Sequence, residues 1–161
     1  MKTIVRHRDE GEATWFLNGL MTTKATSEET GGAYCLMEHL LTAACNPPRH
    51  VQTGEEEGFY VLDGEIEFEV DGEVALCTPG SFALVPRGAA HSFAVLTDTA
   101  RVLVLASAPG AARETGLHDF FRTVGEPAPA RVLPTPQAPD AAALGAIAAQ
   151  HGIELVGPPR S

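Results

Sequence analysis

Between Phe59 and Ser107 the chain repeats one unit six times: a run of four to seven residues rich in Val, Leu, Ile and Phe, then a break. The runs read FYVL, EIEFEV, EVALCT, SFALV, HSFAVLT and RVLVLAS, and the breaks include Asp63-Gly64, Asp71-Gly72, Pro79-Gly80 and Pro86-Arg87-Gly88. Apolar runs of this length, closed off by turn residues at regular spacing, are strands of a sandwich or small barrel. Ile66, Phe68 and Val70 alternate with Glu65, Glu67 and Glu69, so one face is buried and one is wet, as in an antiparallel sheet. Because glycine accepts positive φ, each Asp-Gly pair predicts a tight hairpin.

The flanks extend this pattern. Residues 13–43 hold short apolar runs, Trp15-Phe16-Leu17 and Tyr34-Cys35-Leu36-Met37, around a turn-rich segment from Lys24 to Gly32, which predicts further strands and no helix. Downstream, Glu114–Val124 predicts a short helix with Leu117, Phe120 and Phe121 on one side, packing on the barrel. Glu126–Pro139 contains five prolines and suits an extended, poorly packed strap. Asp140 then reads as the N-cap of AAALGAIAAQH, with Gly152 at the C-cap position. At 161 residues the chain is one domain: a barrel over 1–125 including the helix at 114–124, and over 126–161 a Pro/Ala-rich strap and helix packed on the same domain.

Charge and composition remove several function classes. Eleven Lys and Arg against 21 Asp and Glu give a net charge of −10, which disfavours phosphate backbones and anionic lipid, so neither nucleic acid nor membrane is an expected partner. With 44% hydrophobic and 20% charged residues the chain has a globular balance. MKTIVRHRDEGEAT lacks the apolar core of a secretion signal, and no run approaches the roughly 20 residues of a membrane span, so a soluble, cytoplasmic protein is expected. Cys35, Cys45 and Cys77 are odd in number and never in a CxxC pair, so each is read as a buried structural thiol.

One segment carries chemistry. In PRHVQTGEEEGFYVLDG, His50 and Gln52 share one face of a strand by alternation, Glu57 begins the next strand after a short turn, and GSFALVPRG leads into His91. Two imidazoles and a carboxylate, with an amide nearby, form a facial set that leaves open positions on a divalent first-row metal. A strand histidine is also a common hydrogen-bonded core residue, and Glu55-Glu56-Glu57 also reads as a solvated acidic turn.

These residues, in this order, resemble the cupin superfamily. Its first motif reads here as His50-Val51-Gln52, Glu57 and Gly64, and its second as Gly80, Pro86, Gly88 and His91. From about Trp15 to the terminal HGIELVGPP the chain is similar to single-domain cupins of the bacterial quercetin 2,3-dioxygenase type. The resemblance implies an all-β fold: a cupin double-stranded β-helix, or jelly-roll barrel, with short C-terminal helices. It also implies one divalent transition metal, Ni, Mn, Fe, Co, Cu or Zn, held by His50, Glu57 and His91. Where that family has a second histidine this chain has Gln52, a weaker donor, which is open between fourth ligand, substrate contact and core amide.

Phe59 shares parity with Glu57, and Phe93 with His91, so both are candidate pocket walls, whereas Tyr60 is read as barrel core. Met21 and Met37 read as core, Arg87 as surface, and His7, His39, His118 and His151 as structural. By resemblance the expected activity is that of a quercetinase-like dioxygenase of secondary metabolism. The substrate would be an enolisable hydroxylated aromatic ketone, a flavonol or polyketide-like molecule, with dioxygen as co-substrate and Glu57 as proton acceptor. The alternatives are a non-oxidative isomerase, cyclase or decarboxylase using the same metal and Glu57, and a metal-poor ligand-binding cupin. A homodimer, joined through the N-terminal strand and Pro-rich tail, is the expected assembly.

Overall fold

The computed structural model describes residues 2–108, 116–138 and 140–160. Among the described residues, twelve strands and two helices follow one another. These are β1 (Glu12–Phe16), β2 (Gly19–Ala25), β3 (Cys35–Thr42), β4 (Pro48–Gln52), β5 (Glu56–Asp63), β6 (Ile66–Val70), β7 (Glu73–Cys77), β8 (Phe82–Val85), β9 (Ala90–Val95) and β10 (Thr99–Ser107). Then come α1 (Gly116–Val124), β11 (Glu126–Pro127), α2 (Ala141–Gln150) and β12 (Ile153–Pro159). The six apolar runs of the sequence are β5 to β10. They fold into two antiparallel sheets, ordered β11-β1-β2-β3-β10-β5-β8 and β12-β4-β9-β6-β7.

Alternation sends one side chain in two into the space between the sheets, where Met37, Val61, Ile66, Val85, Val102 and Val104 are almost wholly buried. Along β5 this parity turns Glu57, Phe59 and Val61 inward. Tyr60 therefore faces out, 44% exposed and paired with Leu103 and Phe82, and is not part of the core.

The two Asp-Gly pairs do different work. Asp71-Gly72 closes the β6–β7 hairpin with φ of 50° and 88°, the positive pair of a type I′ turn. Asp63-Gly64 joins no hairpin. β5 belongs to one sheet and β6 to the other, so this pair is a corner at which the chain changes sheet. The corner is stitched to the turn before β10, where Glu65 N–H donates to Thr97 Oγ1 at 3.0 Å and Leu96 N–H donates to the Glu65 carbonyl at 2.9 Å.

The C-terminal third is held more closely than its prolines suggest. β11 pairs with β1, Trp15 Nε1–H donates to the Val132 carbonyl at 2.7 Å, and Gln137 N–H donates to Asn18 Oδ1 at 2.7 Å. In α1 the described helix starts at Gly116; Glu114 and Thr115, like Pro139 of the strap, lie outside the described residues. Asp140 Oδ1 caps α2 by accepting from Ala142 and Ala143 N–H, His151 is the C-cap, and Gly152 follows it at φ 73°. The chain then returns as β12 beside β4, placing Leu155 opposite His50 and Ile153 opposite Gln52. The sheet carrying both candidate histidines is thus completed by the last strand of the protein.

These turns give a paired expectation. A Cβ on Gly64 would sit 2.4 Å from the Thr99 carbonyl oxygen at φ 77°, whereas one on Gly72 meets nothing within 4 Å at φ 88°. Gly72→Ala should cost about 1 kcal/mol of left-handed backbone strain, and Gly64→Ala about 3 kcal/mol or more, read as shifts in the urea midpoint. Equal costs would contradict the corner assignment.

Candidate metal centre

Three consecutive acids on one strand entry have three fates, and alternation separates them. Glu56 turns outward and its Oε1 accepts from Ser107 Oγ–H at 3.2 Å. Glu55 turns inward and Oε2 accepts from the Leu117 N–H at 2.9 Å, capping the start of α1. Burial pushes Glu55 up to about 7, against the pull of the Leu117 and Gly116 N–H groups it accepts from, with Glu57 adding to the upward push. Glu57 also turns inward, two residues deeper, toward His50 and His91.

His50 and His91 are direct cross-strand partners on β4 and β9, with ring centroids 4.2 Å apart. Glu57 comes from β5 in the opposite sheet, so the trio spans the barrel. Ligand atoms of the three residues all lie within 4.8 Å of one another. Each imidazole is oriented by its own strand: His50 Nδ1 lies 2.8 Å from the Pro48 carbonyl and His91 Nδ1 lies 3.1 Å from the Ala89 carbonyl. Both Nδ1–H groups donate outward, which fixes the tautomer and leaves each Nε2 lone pair for the centre.

That leaves a pair that needs a proton or a bound cation between its atoms. His91 Nε2 and Glu57 Oε2 approach to 3.0 Å, ion-pair distance without hydrogen-bond angles, and both atoms are buried with no hydrogen-bond partner. Two facing acceptors in an apolar interior are costly. A divalent metal about 2.1 Å from each donor, with ligand angles near 90°, sets neighbouring donors about 3 Å apart, a spacing that Glu57 and His91 already have, while His50, within 4.8 Å of both, would complete the set by a small inward shift. Burial alone would favour neutral Glu57, but His91, His50 and His39 outweigh it and hold the carboxyl below its ordinary range. His91 is shifted upward, the pull of Glu57 exceeding the cost of burial, while burial and the proximity of His91 depress His50.

The trio opens on a cavity of about 80 Å³ whose remaining wall is apolar except for His39 and Cys45. Phe59 and Phe93 line it on the barrel side, and Phe16, Phe120 and Phe121 close it on the helix side. Gln52 is 2% exposed, inside the barrel, with Nε2 unpartnered, yet among the described residues it is not part of the cavity wall. Cys45 lines the cavity, but burial pushes its thiol up to about 12, so it carries no thiolate at neutral pH; all three cysteines are buried and in no disulfide.

His39 had no motif to mark it, and the structure brings it to the same cavity. It is 5% exposed on β3, its Nε2 is unpartnered, and its ring meets Phe121 edge-on at 5.3 Å. The only available signal was parity with Met37 and Leu41 on an alternating strand. Met21 and Met37 are core, Arg87 is exposed, and Glu38 faces outward to an ion pair with Arg101 at 2.8 Å.

Two outcomes follow. Glu55→Ala should remove the cap on α1 and cost about 1 kcal/mol by thermal denaturation, while Glu56→Ala costs a few tenths. Burial lowers His39 to about 4, with Glu57 offsetting part of the shift. The unfolded chain therefore takes up a proton near 6.5 that the folded chain refuses until about 4, so this contribution is present above pH 6.5 and lost as pH falls toward 4. In chelator-treated protein, stability should fall by about 3 kcal/mol more over that window in wild type than in His39→Gln; parallel urea curves would count against it.

Comparison with known proteins places this geometry. Residues 36–107 match the cupin domain family model. A quercetin 2,3-dioxygenase of Bacillus subtilis (strain 168) is 32% identical over 96 residues, 58% of this chain. The chain spans only 28% of that relative's length. Among solved structures, an ectoine synthase from P. lautus superposes with TM-score 0.58 at 19% identity, covering 86% of this chain and 97% of its own. KdgF from Halomonas sp. superposes with TM-score 0.56 at 15% identity, covering 68% of this chain and 96% of its own. These two likenesses carry the fold alone. No described helix is long and apolar enough to cross a membrane. The residues that match the cupin domain model, 36–107, run across β3 to β10 and include His50, Glu57 and His91.

Proposed function

We propose that the protein is a metal-dependent cupin enzyme of the quercetinase type, acting on an enolisable hydroxylated aromatic ketone with dioxygen as co-substrate. The observation that carries this is the cavity wall: five phenylalanines surround the trio, and the other polar groups there are the His39 imidazole and the Cys45 thiol. Such a wall offers nothing to a sugar acid or a dicarboxylate, which need several donors, and much to an aromatic ring. The 32% identity to a quercetin dioxygenase supports the same reading.

His50, Glu57 and His91 would hold the metal, which as a Lewis acid stabilises oxyanion charge on the substrate. Glu57, kept ionised by its histidine neighbours, takes the proton of the substrate hydroxyl. Phe59 and Phe93 fix the ring plane, and the helix-side phenylalanines exclude water. Gln52, behind the wall, holds β4 in place through its carbonyl, which accepts from Gly88 N–H at 2.8 Å. A homodimer in solution belongs to this reading, detectable as twice 17.0 kDa by light scattering.

One observation favours a second reading. A chamber of about 80 Å³ is well below the roughly 300–1,000 Å³ of sites for drug-sized ligands, which suits non-oxidative proton transfer on a smaller enolisable ketone with the same residues.

An oxygen electrode separates the two. The dioxygenase consumes oxygen with quercetin, loses that activity on chelation, and loses at least 100-fold in kcat in Glu57→Gln. Oxygen-independent turnover of a small enolisable ketone, again lost in Glu57→Gln, establishes the second reading and removes the first.

A further inference from the structure

The chamber around the trio has a neighbour. An open cavity of about 470 Å³ lies between β1, α1, the Pro-rich strap and α2. The two cavities share three wall residues, Phe16, Leu17 and Leu144, which therefore form the partition between them. The outer cavity alone falls in the size range of a small-molecule site.

The partition stands on unusual backbone. Leu17 and Asn18 have φ of 44° and 66°, left-handed values that a leucine adopts only under constraint. Asn18 is tied on both sides: Nδ2–H donates to the Ala44 carbonyl at 3.3 Å, and Oδ1 accepts from Gln137 N–H at 2.7 Å. The turn that presents Leu17 to both cavities is thereby fastened to the strap that roofs the outer one. Leu144 sits one turn into α2, whose start Asp140 caps.

The two compartments also differ in chemistry. The inner wall is phenylalanine and leucine around the trio and His39, so a second hydroxylated ring there would lose its hydrogen bonds to water without replacement. The outer wall combines Trp15, Val124 and Ile147 with the hydroxyl and amide side chains of Thr123, Thr135 and Gln137.

Resting on the function proposed above, we infer that the two cavities are one divided substrate site for a two-part phenolic molecule. The enolisable ring occupies the inner chamber against the trio, and the distal polyhydroxylated ring occupies the outer compartment beside Trp15 and Gln137. Phe16, Leu17 and Leu144 surround the linkage between the rings and yield to admit it. The small inner volume is then a selection for the head group and not a limit on the whole substrate.

The test uses the full chain loaded with Co(II), titrated with 4-nitrocatechol, which has one ring, and with quercetin, which has three, and followed by visible absorption. Ala143→Trp on α2 and Thr135→Trp on the strap place bulk in the outer compartment from two separate elements, and both positions are exposed and outside the inner chamber. Both variants should weaken quercetin at least tenfold and leave 4-nitrocatechol within twofold, with Ala143→Ser unchanged for both probes. Unaltered quercetin affinity, or parallel loss of both probes, overturns the divided site. Binding of 4-nitrocatechol alone to wild type overturns it while leaving the metal centre intact. Binding of neither probe overturns the functional reading and the divided site together.

Discussion

An imidazole nitrogen and a carboxylate oxygen face each other at 3.0 Å inside an apolar barrel, and among the described residues neither has a hydrogen bond of good geometry. Much of the architecture is arranged around that pair. His91 is held by a carbonyl of its own strand, His50 likewise, and Glu57 reaches across from the opposite sheet, so neither sheet alone could assemble the group. Removing two acceptors from water without a partner costs a few kcal/mol each. A divalent cation held there would offset this cost and would link folding of the barrel to the metal.

The helices belong to the same construction. Glu55, two residues before the candidate ligand Glu57, caps α1, and α1 lays Leu117, Phe120 and Phe121 over the cavity. The strand that brings the carboxylate to the centre therefore also seats the helix that closes it. β12 and α2 complete the enclosure from the other side, with Leu155, Ile153 and Leu144 in the wall. An apolar enclosure raises the strength of every charge interaction within it.

Alternation made much of this legible in the sequence. It turned Glu57 and Phe59 inward together, and it set His50 and His91 on strands whose register then made them neighbours. The same rule, carried one residue further, also dictates that Tyr60 faces out. What local pattern could not supply was partner choice between strands. Asp63-Gly64 and Asp71-Gly72 are alike as dipeptides, but only the second closes a hairpin, because sheet membership is decided by contacts distant in sequence. His39 lacks a motif, and its place in the cavity depends on β3 pairing with β10. Glu55 read as part of an acidic turn because its partner, the start of α1, lies 62 residues away.

The central claim is that His50, Glu57 and His91 hold one divalent metal. It is tested most directly by elemental mass spectrometry on untagged protein purified without chelator, comparing wild type with His91→Ala and Glu57→Gln. Close to one transition metal per chain in wild type, with at least a tenfold loss in both variants, is the expected result. Near-zero metal in wild type that stays near zero after incubation with Co(II) or Ni(II), or metal retained in full by both variants, would contradict it.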